Sequence, residues 1–220
     1  MRNTNLWASF GASLAAAGVI AVGAPVQARV VTVADTGDPT QTNFGYTLLN
    51  TQAIPGFGSQ SIAARFTVDQ ELTITSVKGW VGRFAQGPST YHITLYADGP
   101  GPNHWVPGAM LYSVGLSDGG PGSGYIGSDS LNWAVTAGAY WVGFEVLETD
   151  TLFGYMPYFV PRPLREALGP PGAYNPAPGA PGSAFRILAS VPEPGTWGLM
   201  ILGFGTAGVA LRTRRRVAAV

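Results

Sequence analysis

Alternation of apolar and polar residues between Arg29 and Ser190 indicates the fold class of this chain. Nowhere in this region do apolar residues keep a period of 3.6 for more than about two turns, so the pattern excludes long amphipathic helices. The chain contains 31 glycines and 18 prolines, residue types that disfavour helices. The body of the protein is therefore predicted to be all-β.

Nine candidate strands and a closing strand follow from the alternation. The clearest is 61–68, where Ile62, Phe66 and Val68 share one face. The other candidates are 29–33, 44–49, 72–81, 91–97, 109–114, 131–135, 140–147 and 151–156, with 183–188 as the closing strand. Apolar positions change face within 72–81, which predicts a β-bulge near Ser76. This number and spacing of strands predict an antiparallel β-sandwich of the jelly-roll type, with Trp80 and Trp133 in its core.

Proline and glycine are concentrated in residues 157–182, near the end of the body. Proline cannot donate to a strand ladder, so this segment is predicted to be a long loop or a semi-rigid spacer. The exported β-domain is accordingly expected to span 29–190, with this loop inside it.

The first 28 residues are typical of a secretory signal peptide. Arg2 precedes an uncharged, mainly apolar stretch that ends in Val26-Gln27-Ala28. Small residues at such positions favour cleavage, here between Ala28 and Arg29. An uncleaved N-terminal anchor is the alternative.

The last thirty residues, 191–220, combine three features in a fixed order. Pro192 and Pro194 flank Glu193 and hold the backbone extended. From 195 to 211 no residue is charged, and Trp197 lies near the start, where an aromatic ring favours a bilayer interface. An arginine cluster, which is retained on the cytoplasmic side of a membrane, follows: Arg212, Arg214, Arg215 and Arg216. Because several glycines weaken the apolar helix, we expect a transmembrane segment that anchors the chain only transiently.

This order of features resembles the PEP-CTERM sorting signal of Gram-negative bacteria, with Pro192, Glu193, Pro194 and Trp197 at the motif positions. Gly198 stands where the closest subtype, PEP-x-x-W-A, usually has alanine. The resemblance implies that the partner is exosortase, a membrane-embedded cysteine protease that cuts near Pro-Glu-Pro. It also implies an association with exopolysaccharide and hence with biofilm. An ordinary stop-transfer helix also fits the hydropathy, but it leaves Pro-Glu-Pro unexplained.

Segments of the body also look loosely like the β-rich domain of many PEP-CTERM proteins, at 95–99, 107–112 and 137–142. The family resemblance implies where the protein is located and does not imply a catalytic activity. We expect export across the inner membrane, a membrane-tethered precursor, and a final place at the cell surface or in the extracellular matrix.

Charge and cysteine content limit the partners of the body. Residues 29–190 hold seven basic and eleven acidic side chains, a net charge of −4, so nucleic acid is not an expected partner. The chain has no cysteine and therefore no disulfide framework. Asp98, Asp118 and Asp129 lie in or beside glycine-rich turns, but no D-x-D-x-D-G loop occurs. We expect no cofactor, with a calcium site as the alternative.

Residues capable of catalysis are few. The chain has only His92 and His104, and it lacks hydrolase and phosphate-binding motifs. Glu145, Glu148 and Asp150 could supply the carboxylate pair of a glycosidase, although a solvated strand end also explains them. The expected function is non-enzymatic, that of a sorted surface or matrix protein that binds glycan or protein. A secreted glycan-active hydrolase is the alternative.

One tryptophan is a candidate glycan contact. Trp105 follows His104 in a glycine- and proline-rich segment that should be an exposed loop. An exposed indole can stack on a sugar ring, whereas packing that anchors the loop is the other interpretation of the same residue.

Overall fold

Two antiparallel β-sheets form the body of the protein in a computed structural model that describes residues 28–54, 58–84, 87–100, 105–119, 122–180, 182–191 and 203–205. The predicted signal peptide up to residue 27, the sorting motif, the arginine cluster and His104 lie outside these residues. Among the described residues, no helix combines the length and apolar character that crossing a bilayer requires.

The first sheet has seven strands. They are β1 (Arg29–Asp35), β2 (Gly45–Leu48), β4 (Leu72–Arg83), β7 (Ser123–Ser128), β8 (Trp133–Val135), β10 (Gly154–Pro157) and β13 (Phe185–Val191). Five of them lie in the order β1-β13-β4-β10-β2, and β7 and β8 also pair with β4. The long strand β4 therefore organises this sheet.

The second sheet has six strands in the order β12-β11-β3-β9-β5-β6. They are β3 (Ser61–Val68), β5 (Ser89–Asp98), β6 (Pro107–Asp118), β9 (Gly138–Glu145), β11 (Arg165–Gly169) and β12 (Asn175–Pro176). Every strand pair in both sheets is antiparallel. The prediction of an antiparallel all-β sandwich is confirmed.

The core lies between the two sheets, because side chains from both contribute to one cluster. Ile62 and Phe144 come from the six-stranded sheet, and Val77, Phe185 and Ile187 come from the seven-stranded sheet. All five are fully buried. Burial of a side chain of this size contributes about 1.5–3 kcal/mol, so a chain without disulfides can rely on this core.

A β-bulge brings both halves of β4 to the same core. The pairing of β13 with β4 passes from Leu188–Ser76 to Ala189–Ile74 and skips Thr75. Ile74 and Val77 are consequently both buried, although an uninterrupted strand would place them on opposite faces. The predicted bulge near Ser76 is confirmed.

Three strands and one tryptophan differ from the sequence predictions. Residues 157–182, predicted to be a loop or spacer, contain β11 and β12, and β7 is not among the predicted strands. These short segments contain too little alternation to predict a strand. Pairing with neighbouring strands holds them in place. Trp133 is buried as predicted, whereas Trp80 is only half-buried. Because Gly79 and Val81 face the core, Trp80 faces away from it.

Candidate functional site

The two ends of the exported body lie side by side on neighbouring strands. β1 begins at Arg29, directly after the predicted signal cleavage position, and Arg29 pairs with Val191 in the antiparallel ladder. Ala28 and Arg29 are both exposed. Pro192 is the next residue after Val191, so the predicted cleavage position and the predicted sorting motif flank the same pair of strand ends.

The strand that precedes the sorting motif is an internal strand of its sheet. β13 pairs with β1 on one side and with β4 on the other. Its inward side chains, Phe185, Ile187 and Ala189, are fully buried. The backbone before the motif is therefore paired with β1 up to Val191 and with β4 up to Ser190.

Glu145, one of the candidate catalytic acids, is a buried acceptor of three hydroxyl groups. Thr94 Oγ1 donates to Oε2 at 2.5 Å, while Tyr96 Oη and Tyr174 Oη donate to Oε1 at 2.5 and 2.6 Å. Its exposed fraction is 3 %. Glycine at 143 makes room, since a Cβ there would lie 2.8 Å from Tyr174 Oη. Burial, with the neighbouring Glu145 carboxylate, raises the pKa of Tyr96 and Tyr174, so both hydroxyls stay protonated donors.

Asp150 is also buried, and it stabilises the turn after β9 by hydrogen bonds. Its Oδ2 accepts from the Leu147 backbone N–H at 2.8 Å and lies 2.9 Å from His92 Nδ1. The Asp150 backbone carbonyl accepts from Asn50 Nδ2 at 2.8 Å. Glu148 is exposed and accepts a hydrogen bond from Thr51 Oγ1. The interpretation of these acids as a solvated strand end is therefore wrong for Glu145 and Asp150, because side chains distant in sequence bury them.

These acids form separate hydrogen-bonded sites in the described part of the chain. Glu145 is enclosed by Thr94, Tyr96 and Tyr174, whereas Asp150 holds His92 and a turn. His92 and Glu145 are register partners across β5 and β9, so the two sites are neighbours on the outer face of the six-stranded sheet. The arrangement orders this face of the sheet and leaves the Glu145 carboxylate almost no contact with solvent.

Trp105 is half-buried, and the Arg165 guanidinium carbon lies 4.8 Å from the centre of its ring. Such a cation–π contact occupies one face of the indole. A sugar could stack only on the other face. The structure thus supports the loop-anchoring interpretation of Trp105 at least as well as the glycan interpretation.

The three turn aspartates each pair with a cation. Asp98 binds Arg65 at 2.7 Å and also accepts from Trp141 Nε1. Asp118 and Asp129 lie 3.1 and 2.6 Å from Arg83 and Lys78, respectively. Hydrogen bonds from Lys78 and Ser76 lower the pKa of Asp129. Within the described ranges, no group of three or more acidic or histidine side chains is placed to hold a metal ion.

The sequence analysis overlooked a row of aromatic side chains on the outer face of the seven-stranded sheet. Trp80 and Tyr125 are register partners on β4 and β7. Tyr155 lies over Gly82, where a Cβ would come within 2.3 Å of its ring. Phe84, 54 % exposed, lies 5.1 Å from the Tyr155 ring and 5.0 Å from the Phe153 ring. A sequence signal existed in the alternation of Trp80, Gly82 and Phe84 along one strand face.

Comparison with known proteins identifies one segment of the chain. A family model for the PEP-CTERM protein-sorting motif matches residues 190–216, which begin at the penultimate residue of β13. No curated protein matches the chain at a significant level.

A chain of the structure of infectious bursal disease virus Gx strain is similar to 78 % of this chain at 12 % identity, with a TM-score of 0.22. This protein spans 42 % of that viral chain. A TM-score this low carries no argument about fold or function.

Proposed function

We propose that this chain, which carries the PEP-CTERM protein-sorting motif at residues 190–216, is a non-enzymatic protein of the cell surface or extracellular matrix. The motif marks an exported protein whose membrane-anchored precursor is processed by exosortase. In the proposal, the signal peptide ends at Ala28, and the apolar segment from 195 to 211 spans the membrane until exosortase cuts near Pro192-Glu193-Pro194. The arginines from 212 to 216 keep the removed end in the cytoplasm.

The observation that carries the proposal is the position of the motif relative to the folded body. The family match begins at Ser190, where the sandwich is completed by β13. The sorting segment thus follows a finished domain without an intervening linker. We also propose that the sandwich has a jelly-roll topology, because the consecutive strands β2, β3, β4 and β5 alternate between the two sheets.

Processing can be tested by mass spectrometry of the mature C-terminus in a Gram-negative host with and without exosortase. We expect a shortened species only when exosortase is present. Glu193→Ala should leave a membrane-held precursor, whereas deletion of 195–220 should release the body as a soluble protein. Glu71→Ala, at an exposed position in the turn after β3, is the matched control and should be processed normally. An intact polypeptide ending in Val220, with no shorter species, would refute the proposal.

Association with exopolysaccharide and biofilm is the second part of the proposal. Its support is the family resemblance of the tail together with aromatic side chains at the surface of the body, which include Trp105. Loss of retention in the producer's own matrix after Trp105→Ala would assign the contact to Trp105. Unchanged retention would remove Trp105 from the proposal and leave sorting intact.

A glycan-active hydrolase is the alternative function. It requires two carboxylates about 5–10 Å apart in a groove open to substrate. Glu145 accepts three internal hydrogen bonds and is 3 % exposed, which favours the non-enzymatic proposal. Release of reducing sugar from the producer's polysaccharide, abolished in Glu145→Gln, would support the hydrolase instead.

A further inference from the structure

The outer face of the seven-stranded sheet combines an aromatic row with a polar depression. The aromatic row consists of Tyr125, Trp80, Tyr155 and Phe84. Trp80 and Gly82 share one face of β4 and pair with Tyr125 and Tyr155, while Phe84, directly after β4, packs against the Tyr155 ring. These strands are rigidly paired in the sheet, so the rings are held in place without a ligand.

The polar depression adjoins the row on the same face. Its polar lining consists of Thr32, Asp35, Ser76, Lys78, Asp129 and Arg186. Arg186 connects the two features, because its guanidinium carbon lies 3.9 Å from the centre of the Tyr125 ring. Arg186 also donates from Nη2 to Asp38 Oδ1 at 2.6 Å, and its buried Nε lies 3.7 Å from Asp35 Oδ1. The face therefore places ring surfaces next to polar and charged side chains.

The charged side chains on this face form ion pairs with one another. Lys78 lies 2.6 Å from Asp129, and Arg186 lies 2.6 Å from Asp38 and 3.7 Å from Asp35. Two cations and three carboxylates leave a net charge of −1, which disfavours a polyanion and is small for the attraction of a polycation. Charge complementarity thus favours an uncharged ligand that can both donate and accept hydrogen bonds.

The type of apolar side chain exposed on this face also indicates which class of ligand it can bind. Phe84 is an exposed ring, whereas the exposed aliphatic side chains Val30, Met110 and Leu111 lie on β1 and β6, outside the row. The electron-rich face of an aromatic ring attracts polarised C–H groups, such as those on the apolar side of a pyranose. Hydroxyl groups of the same sugar match the donors and acceptors of the depression.

We propose that the aromatic row and the adjoining polar depression form a binding site for an uncharged polysaccharide. The inference deepens the proposed matrix function and rests on it. It places the glycan contact on the seven-stranded sheet rather than at Trp105. Pyranose rings stack on Trp80 and Phe84, and their hydroxyls bind the side chains that line the depression.

The test is affinity electrophoresis of the mature protein, as released from cells, in native gels. Separate gels contain a β-glucan, galactomannan, dextran, or alginate as the polyanion. We expect retardation by at least one uncharged polymer and not by alginate alone. Trp80→Ala and Phe84→Ala should each weaken binding about tenfold, the loss of one stacking contact. Met110→Ala, at a side chain 64 % exposed on the other sheet, is the matched control and should bind like the wild type.

Three results would refute the proposed binding site. They are retardation by no uncharged polymer, retardation by alginate alone, and equal losses in Met110→Ala and Trp80→Ala. A dimer in sedimentation that Trp80→Ala dissolves would assign the face to a second copy of the chain instead. Near-ultraviolet circular dichroism of each variant shows that it is folded before its binding is compared. Normal exosortase processing of a protein that binds no glycan would refute this inference alone and leave the sorting proposal standing.

Discussion

Glu166 is a buried acid in the interior of the sandwich, and no cation pairs with it among the described residues. Its Oε1 accepts a hydrogen bond from the Ser183 backbone N–H, while Oε2 has no hydrogen-bond partner in the described part of the chain. Burial raises the pKa of Glu166 from 4.5 to about 7, although the Ser183 hydrogen bond acts in the opposite direction. A carboxyl group with an unpartnered buried oxygen is more stable when that oxygen carries a proton.

Stability should therefore fall as the pH rises through the pKa of Glu166. Below pH 4.5 the group is protonated in both folded and unfolded chains, and its contribution is fully present. Between pH 4.5 and about 7 the folded state holds the proton more tightly, so unfolding releases it and the free energy of unfolding decreases. The expected loss is about 3 kcal/mol by pH 8, measured by urea unfolding at a series of pH values. Glu166→Gln should lose this pH dependence, and parallel curves for the two proteins would contradict the assignment.

Tyr155 packs closely against Gly82, and Gly82→Ala tests how much this contact contributes to stability. A Cβ at 82 would lie 2.3 Å from the Tyr155 ring, and no positive φ at Gly82 adds backbone strain. Gly82→Ala should destabilise the protein by about 1–3 kcal/mol because the ring must move. In a Tyr155→Ala background the same change should cost much less. Thermal unfolding of the four proteins in this cycle measures the coupling, and additive effects would show that the ring does not rest on Gly82.

The connection between β11 and β12 packs on the six-stranded sheet through Tyr174. Tyr174 donates to Glu145 at 2.6 Å and packs edge-on against Tyr96, and the Ala177 N–H donates to the Glu166 carbonyl at 3.1 Å. Tyr174→Phe keeps the ring but removes a hydrogen bond to a carboxylate, at an expected cost of about 1.5–3 kcal/mol. Hydrogen exchange of residues 170–180 should accelerate. Tyr112→Phe, which loses a bond to the Ala134 carbonyl instead, is the control, and equal exchange in both variants would contradict the role of Tyr174.

The alternation of apolar and polar residues predicted the long, uninterrupted strands. It missed strands whose formation depends on pairing with a neighbouring strand. Its bounds for 61–68 match β3, and it placed the bulge of β4. It missed β11 because five residues between prolines carry little pattern, and their pairing with β3 supplies the order. Alternation also separates two faces without saying which is inward, so it placed Trp80 in the core. The burial of Glu145 depends on Tyr174, 29 residues away, and no local pattern contains that contact.

The position of β13 links completion of the fold to processing of the tail. This strand lies between β1 and β4, so the first and last strands of the body meet next to the sorting motif. A protease binds its substrate as an unpaired segment, and backbone that is hydrogen-bonded in a sheet resists cleavage. Because Val191 is paired to Arg29, the folded body offers a protease no unpaired backbone at the end of β13.

A flexible spacer between Val191 and Pro192 should therefore speed processing of the folded precursor. Six Gly/Ser residues inserted there would extend the accessible upstream segment by roughly 20 Å when stretched, without altering any strand pair. We expect the processed fraction in a pulse-chase experiment to rise several-fold faster, with unchanged thermal stability of the released body. The same insertion in the exposed turn between Asp69 and Gln70 is the control and should leave processing unchanged. Equal rates with and without the spacer would mean that exosortase reads only residues downstream of the body, or cuts before β13 enters the sheet.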